Sequence, residues 1–426
     1  IAERMTDVSL GKELRKERVE KDLLGTRTLP EQACYGINSL RASENYTFSG
    51  YPIHPELIKA LGVVKKAAAL ANLRAGQLDP AKALAISQAS DEVAGGKWRD
   101  QFIGEALQGG AGTGINMNAN EVIANRALVI LGSEPGHYER VHPLDDVNKG
   151  QSTNDAIPTA IRIAAIRLLE KYIEAAGHLS DALNKKADEY KNAIKLGRTH
   201  LQDAVPLTVG QELGAWAVGV SRDAERGHRA IELLSAVNMG GTAVGTSINA
   251  DPGYVEVVAD ELRKCSGIDS LELASNLIDA TQNLDVLVEV SGFTKATATT
   301  LTKIANDLRL MASGPMVGLA EVVLPSIAAG SSIMPGKVNP VIPELVNQVC
   351  FRVFGNDLTI SLAASAGQFE LNVMQPVLAF SLFESLTLLT NAMEALAVKV
   401  IKGMKFNTDR CFKYASSSLT LSTALA

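Results

Sequence analysis

A chain of 426 residues with 46% hydrophobic and 21% charged side chains can build a large core, which excludes a disordered polymer and leaves room for two or three domains. Its formal charge of -6 is spread without long like-charge blocks, so neither nucleic acid nor a membrane is the expected partner, because both call for clustered Lys and Arg. Cys34, Cys265, Cys350 and Cys411 lie far apart with no Cys-x-x-Cys pair, which argues against a disulfide framework or a zinc knuckle and fits a reducing, cytoplasmic setting.

The opening residues, "IAERMTDVSL", carry no signal-peptide pattern and read as the mid-stream start of a longer protein. Residues 1–150 mix Gly- and Pro-containing stretches such as "GTRTLP" and "SGYPIHPEL" with moderate helices, one of them near 55–75, and are expected to form a mixed, mainly helical first domain. From Pro158 to about Leu196 the residues Ile161, Ile163, Ile166, Leu169, Ile173, Leu179 and Leu183 recur at helical spacing, well past the roughly 8–20 residues of an ordinary globular helix. Similar helices are expected over 209–237, 277–313, 343–364 and 376–402, and no run of eighteen apolar residues appears. Five long helices, with few aromatics and little that reads as strand, give an all-α bundle. Stretches such as "LGAWAVGV" and "VLVEVSGFTKATATTL" are apolar on most faces. Either one large monomer buries them or several copies share them, and the second reading, a homo-oligomer, is preferred.

Four polar segments rich in Gly, Thr and Asn fall at helix ends: "QGGAGTGINMNANE" (108–121), "NKGQSTNDAIPT" (148–159), "GRTHLQDAVPLTVGQE" (197–212) and "GSSIMPGKVNPVIPE" (330–344). Capping accounts for part of them: Asn118 with Glu121 and Thr208 with Gln211 have capping-box spacing, and Asn339 before Pro340 resembles an N-cap followed by proline at the first helical position. It leaves Thr113, Ser152, Thr153, Thr199, His200, Ser331 and Lys337 unexplained. Helix N-termini present free N–H groups and the positive end of a dipole, so several converging on one cleft make an anion site for a carboxylate or phosphate. A phosphate loop does not fit, because five residues rather than four separate Gly330 from Gly336 and Val338 stands where Ser or Thr would ligate magnesium. "GGAGTG" (109–114) lacks a βαβ setting, and the six histidines show no metal-binding spacing, so neither a cofactor nor a metal is expected. A carboxylate remains. Removing a proton from the carbon beside it requires holding an enediolate with many neutral donors and one or two cations, which Thr, Ser, Asn, Lys and His here supply. Ser331 or Ser332, with Lys337 nearby, suits a closing loop that surrounds a base with backbone N–H groups.

"GSSIMPGKVNP" (330–340) resembles the signature GSSxMPxKxNP of the aspartase/fumarase superfamily, and the likeness extends through "NMNANEVIANRA" (116–127), "QSTND" (151–155), "GRTHLQDAVPLTVGQE" and "GGTAVGTSIN" (240–249). Ala111, "KVNPVIPELVNQV" and "NVMQP" (372–376) are similar to the branch that deaminates aspartate, whereas "GGTAVGT" leans toward fumarases, and Met316 stands where the family commonly has Arg. The resemblance implies an all-helical fold in which residues 151–405 form a central bundle of five long helices, four copies building a twenty-helix core, and residues 406–426 begin a C-terminal domain that is cut short. It implies reversible deamination of L-aspartate to fumarate and ammonia without an organic cofactor, in a homotetramer whose active sites are shared between subunits. Hydration of fumarate and a non-catalytic structural role are the alternatives.

By the same resemblance Ser331 takes the C3 proton, its high intrinsic pKa lowered by loop N–H groups and Lys337. Ser152, Thr153 and Ser332 would hold the β-carboxylate, while Lys337, Asn339 and Thr199 would hold the α-carboxylate. Thr113, Asn154 and His200 would surround the amino group, with Glu344 orienting His200.

Overall fold

The computed structural model describes residues 16–425 apart from Ala329, Ser331, Ser332 and Pro335. In chain order the elements are β1 (Glu17–Asp22), β2 (Gly25–Pro30), α1 (Ile37–Asn45), α2 (Pro55–Arg74), α3 (Pro80–Ala94), α4 (Thr113–Ile130) and α5 (Thr153–Glu189). They continue with β3 (Ile194–Thr199), β4 (Gln202–Thr208), α6 (Val209–Leu234), β5 (Ala236–Val237), α7 (Pro252–Ser266), β6 (Glu272–Leu273), α8 (Leu277–Gln282) and α9 (Asp285–Met311). The last are β7 (Val322–Val323), α10 (Val341–Ser365), α11 (Gln375–Leu396), β8 (Lys405–Phe406) and α12 (Thr408–Ser417). The fold is all-α as expected, its strands confined to two-stranded pairs.

Local chemistry explains the helix starts. Both α2 and α3 open on proline, where a missing N–H costs nothing, and are capped by His54 Nδ1, which accepts from Glu56 N, and by Asp79, which accepts from Ala81 N and Lys82 N. The capping box expected at Thr208 and Gln211 is present at the start of α6. The other two expected caps are not. Asn118 and Glu121 lie inside α4, where Glu121 turns away to accept from the backbone N–H groups of Gly36, Asn38 and Ser39 at the start of α1. Pro340, not Asn339, occupies the N-cap position of α10.

Helix α5 begins at Thr153, five residues before the expected start, and carries Pro158 within it over a length of 37 residues, about 55 Å. A proline there orphans the carbonyl four residues back. That carbonyl, on Asn154, instead accepts from Asn238 Nδ2 at 2.9 Å. The helix also stops short of Leu196, which belongs to the β3–β4 hairpin. The single helix expected over 277–313 is broken, because Leu284 leaves helical geometry (φ -124°, ψ 17°) and buries its side chain.

The chain forms two compact units. The first gathers the described residues up to 163 with 237–282 and 368–376; the second gathers 164–236, 283–367 and 377 onward. In the first, α2 packs on α3, α4 and α7. In the second, α9 packs on α6 and α10, and buried Tyr172 of α5 reaches Asp223 O of α6 at 3.2 Å and Thr297 Oγ1 of α9 at 2.5 Å. Asn356 of α10 donates to Glu384 and Ser385 of α11. The stretch Gln375–Ile401 is long and apolar enough by composition to cross a membrane, yet 61% of its most apolar window is buried inside the protein. Helix α10 keeps Phe351, Leu358 and Leu362 60–62% exposed on one face.

Candidate active site

In the first unit Ser152, Thr153 and Asn154 form the N-terminal turn of α5, and Thr113 opens α4, which packs a side chain against that turn. Ser152 precedes the helix and accepts from Asn154 N at 3.2 Å, while Asp155 accepts from Ser152 N at 2.8 Å, so the turn is closed reciprocally as in a capping box. Thr153 Oγ1 accepts from Asn116 Nδ2 of α4 at 3.2 Å. Asn154 donates its side-chain amide to Ala243 O at 2.8 Å. Thr113, exposed at the first position of α4, donates its hydroxyl to Gly110 O at 2.7 Å, one helical turn before Asn116. Ser152, Thr153 and Asn154 are half-buried, so the turn, its N–H groups of Ser152 and Asn154 already capped, presents two hydroxyls and a side-chain amide at a partly open surface.

Behind this turn lies a buried polar cluster that sequence reasoning missed. Asp155 is fully buried and its second oxygen accepts from Gly240 N at 3.1 Å and Thr242 N at 3.0 Å, which ties the "GGTAVGT" segment to α5. Glycine is needed at 245 in that segment, because φ is +86° and a Cβ would fall 2.4 Å from Ile278 Cα. Lys65 of α2 is fully buried and donates to Asn148 Oδ1 and Gln151 Oε1, each at 2.9 Å. The same Asn148 oxygen accepts from Asn116 and Asn120, both at 3.2 Å. Burial pushes the Asp155 carboxyl up to about 7, opposed by its three backbone donors and by Lys65. Burial likewise pushes Lys65 down to about 7, opposed by Asp155. The signal for Asp155 was its place three residues after Ser152; for Lys65 it was helical phase, in line with Leu61 and Ala68.

In the second unit Thr199 and His200 sit at the tip of the β3–β4 hairpin. His200 (φ 56°) and Leu201 (φ 62°) both occupy the left-handed region, the geometry of a type I′ turn that usually takes Asn or Gly. The hairpin is anchored below by Lys195, which bonds Glu212 at 2.8 Å and lies 3.3 Å from fully buried Glu321, and by Arg198, which bonds Glu321 at 2.7 Å. Lys337 and Asn339 are exposed beside the first turn of α10, which carries half-buried Glu344. Gly330 closes the base of this loop at φ 74°, where a Cβ would lie 2.2 Å from Lys337 O. Ser331 and Ser332 lie outside the described residues. Among the described residues no hydrogen bond or ion pair joins His200 to Glu344 within one chain, and no group of three or more His, Cys, Asp or Glu is placed to hold a metal.

A long-helix bundle with polar helix ends and hydroxyl-rich loops is the architecture of a helical lyase, and a family model described as a lyase matches residues 25–355; the chain belongs to this family, the aspartase/fumarase superfamily. Among its relatives, an aspartate ammonia-lyase of Bacillus sp is 54% identical over 96% of this chain and 87% of the relative. The aspartate ammonia-lyase of Escherichia coli K12 is 46% identical over 96% of this chain and 86% of the relative. A fumarate lyase:delta crystallin of Brucella melitensis, crystallised bound to cobalt, superposes with a TM-score of 0.94 at 47% identity, covering 96% of this chain and 89% of that one. A class II fumarase of Schistosoma mansoni superposes with a TM-score of 0.92 at 35% identity over the same shares.

Proposed function

We propose that this chain is an aspartate ammonia-lyase, converting L-aspartate reversibly to fumarate and ammonia. The observation that carries the reading is identity of 46–54% to aspartate ammonia-lyases over 96% of the chain, against 35% to the class II fumarase. The reaction needs a base for the C3 proton, donors for the carboxylate beside it, and room for the leaving amine. In this reading Ser331 removes the proton and the electron pair moves into the β-carboxylate as an enediolate. The pair then returns to form the C2–C3 double bond as the C2–N bond breaks and ammonia departs.

The enediolate carries one more negative charge than the carboxylate, and Ser152, Thr153 and Ser332 hold it. The N-terminal turn of α5 supports the first two of these roles, since two hydroxyls at the positive end of a long helix dipole suit a growing anion. Lys337, Asn339 and Thr199 bind the α-carboxylate, while Thr113, Asn154 and His200 surround the amine and Glu344 orients His200. The enzyme works in the cytoplasm as a homotetramer with shared sites, so that His200 and Glu344 meet across subunits. The division into a first domain at 1–150 and a bundle domain at 151–405 belongs to the same reading.

Following fumarate by its ultraviolet absorbance tests the assignment. L-Aspartate should be turned over far faster than L-malate, and comparable or faster turnover of malate sinks the aspartase reading in favour of a fumarase. Ser331→Ala should abolish turnover while leaving aspartate affinity nearly unchanged, because proton transfer acts in the transition state. A tenth of the parental kcat remaining in that variant would place the base elsewhere.

A further inference from the structure

Lys65 is an uncommon group to find with no access to solvent. It lies in α2, whose buried face is otherwise apolar through Leu57, Leu61, Val64, Ala68 and Ala71 until Asn72, which donates to Lys149 O at 2.9 Å and so ties the same face to the same loop. Replacing a lysine there with an aliphatic residue would extend the apolar stripe and relieve the cost of burying an ammonium. No carboxylate accepts from its Nζ; both acceptors are neutral amide oxygens, Asn148 Oδ1 and Gln151 Oε1. Each leads back to the α5 turn. Gln151 immediately precedes Ser152, and Asn148 donates to Gln151 O at 3.1 Å. Asn148 Oδ1 also collects Asn116, whose amide touches Thr153 Oγ1. Asp155 acts on the ammonium as a counter-charge without a direct ion pair, its own oxygens being spent on the backbone N–H groups of Ser152, Gly240 and Thr242.

We infer that Lys65 is a positioning residue of the lyase reaction: its buried ammonium orders the Asn148 and Gln151 side chains, and through Asn116 the Thr153 hydroxyl, and places a positive charge behind the turn that receives the substrate carboxylate. The inference rests on the reading that Ser152 and Thr153 hold that carboxylate. A cation behind the donors acts most when the carboxylate gains its second charge as the enediolate, so its effect belongs to the transition state more than to binding. The low-dielectric surroundings strengthen it. Burial lowers the pKa of Lys65 and raises that of Asp155, each opposed by the other's charge, so the two groups titrate as neighbours in one dry cluster.

The test compares Lys65→Gln, Lys65→Arg, Asn116→Ala and Thr153→Val in the full chain, each checked for folding by circular dichroism. Lys65→Gln should lower kcat for L-aspartate by about 10–100-fold with KM changed less than about threefold, the scale seen when supporting groups behind a reacting site are removed. Lys65→Arg, which restores the charge, should recover part of that loss, as a merely space-filling role would not. A folded Lys65→Gln enzyme within about twofold of the parental kcat overturns the inference, as does an equal fractional loss in kcat and gain in KM. Should Lys65→Gln fail to fold, Asn116→Ala decides, since it leaves the ammonium and Asp155 in place and puts a good helix former in α4. A fall in kcat of about tenfold at unchanged KM supports the relay, and unchanged kcat overturns it. Thr153→Val separates the two levels. Full turnover in that variant defeats the carboxylate-binding reading itself, whereas loss there with full turnover in both Lys65→Gln and Asn116→Ala defeats the Lys65 inference alone.

Discussion

Burial acts on Asp155 and Lys65 in opposite directions, and the sign of each can be followed to a measurement. Asp155 is raised from 3.8 to about 7 in the folded chain, so between those values the native state holds a proton that the unfolded state has lost, and stability falls as pH rises through that interval. Lys65 is lowered from 10.5 to about 7, so above neutrality the unfolded state holds the extra proton and stability rises with pH up to about the ordinary lysine value. The two groups together make neutral pH the least favourable point for this pair. Asp155→Asn removes the first slope. Urea midpoints measured from pH 4 to 7 should therefore show the parent losing stability relative to Asp155→Asn as pH rises; parallel curves would mean that Asp155 titrates normally. Glu121 is a contrasting case, its carboxyl also raised by burial but ringed by Ser39 and Asn38 as well as backbone donors, so it organises α1 rather than the α5 turn.

At the scale of elements, Pro158 shows both what periodicity reveals and what it hides. The run of Ile and Leu from Ile161 to Leu183 is legible because a helix buried along one face must repeat at 3.6 residues, and all five long helices were found this way. The start of α5 was not, because a proline ordinarily marks a first turn, and only the distant Asn238 makes an interior proline tolerable here. A double-mutant cycle checks this. Asn238→Leu should cost about 1–3 kcal/mol by stranding the Asn154 carbonyl, and less in a Pro158→Ala background where residue 158 regains its own N–H. Equal costs in both backgrounds would show that the amide serves another contact, such as the one it also makes with Thr281. The β3–β4 hairpin escaped for a related reason: its turn is His200-Leu201, which lacks the Asn-Gly signature, so the Ile and Leu before it looked like more helix. The motifs fall on the first turn of α4, the first turn of α5 and the hairpin tip, where the structure puts polar side chains at the ends of elements. Lys65 stayed hidden because it adjoins Lys66, which pairs with Asp91 at the surface, and only helix phase separates the two.

At the scale of the whole molecule, the exposed Phe351, Leu358 and Leu362 of α10 support assembly through this face. Phe351→Asp should convert the proposed tetramer to smaller species in light scattering after size-exclusion chromatography, and should lower activity with it if sites are shared. An unchanged mass would remove this face from the interface. Mixed assemblies of Ser331→Ala and His200→Ala, verified by differential tagging, should regain activity absent from both parents; continued inactivity would mean that the two residues belong to one chain's site. The stretch Gln375–Ile401 has a further consequence in the order of synthesis. The ribosome releases α5, α6, α9 and α10 before α11, yet Asn356 of α10 and His178 of α5 take their partners, Glu384 and Glu394, from α11. During translation the second unit therefore waits, incomplete, for a segment apolar enough to pass for a membrane span. Until α11 docks, the partners of Asn356 and His178 are missing and its apolar faces stay open to solvent, so the closing residues of the bundle are the stage of synthesis at which exposed apolar surface is greatest.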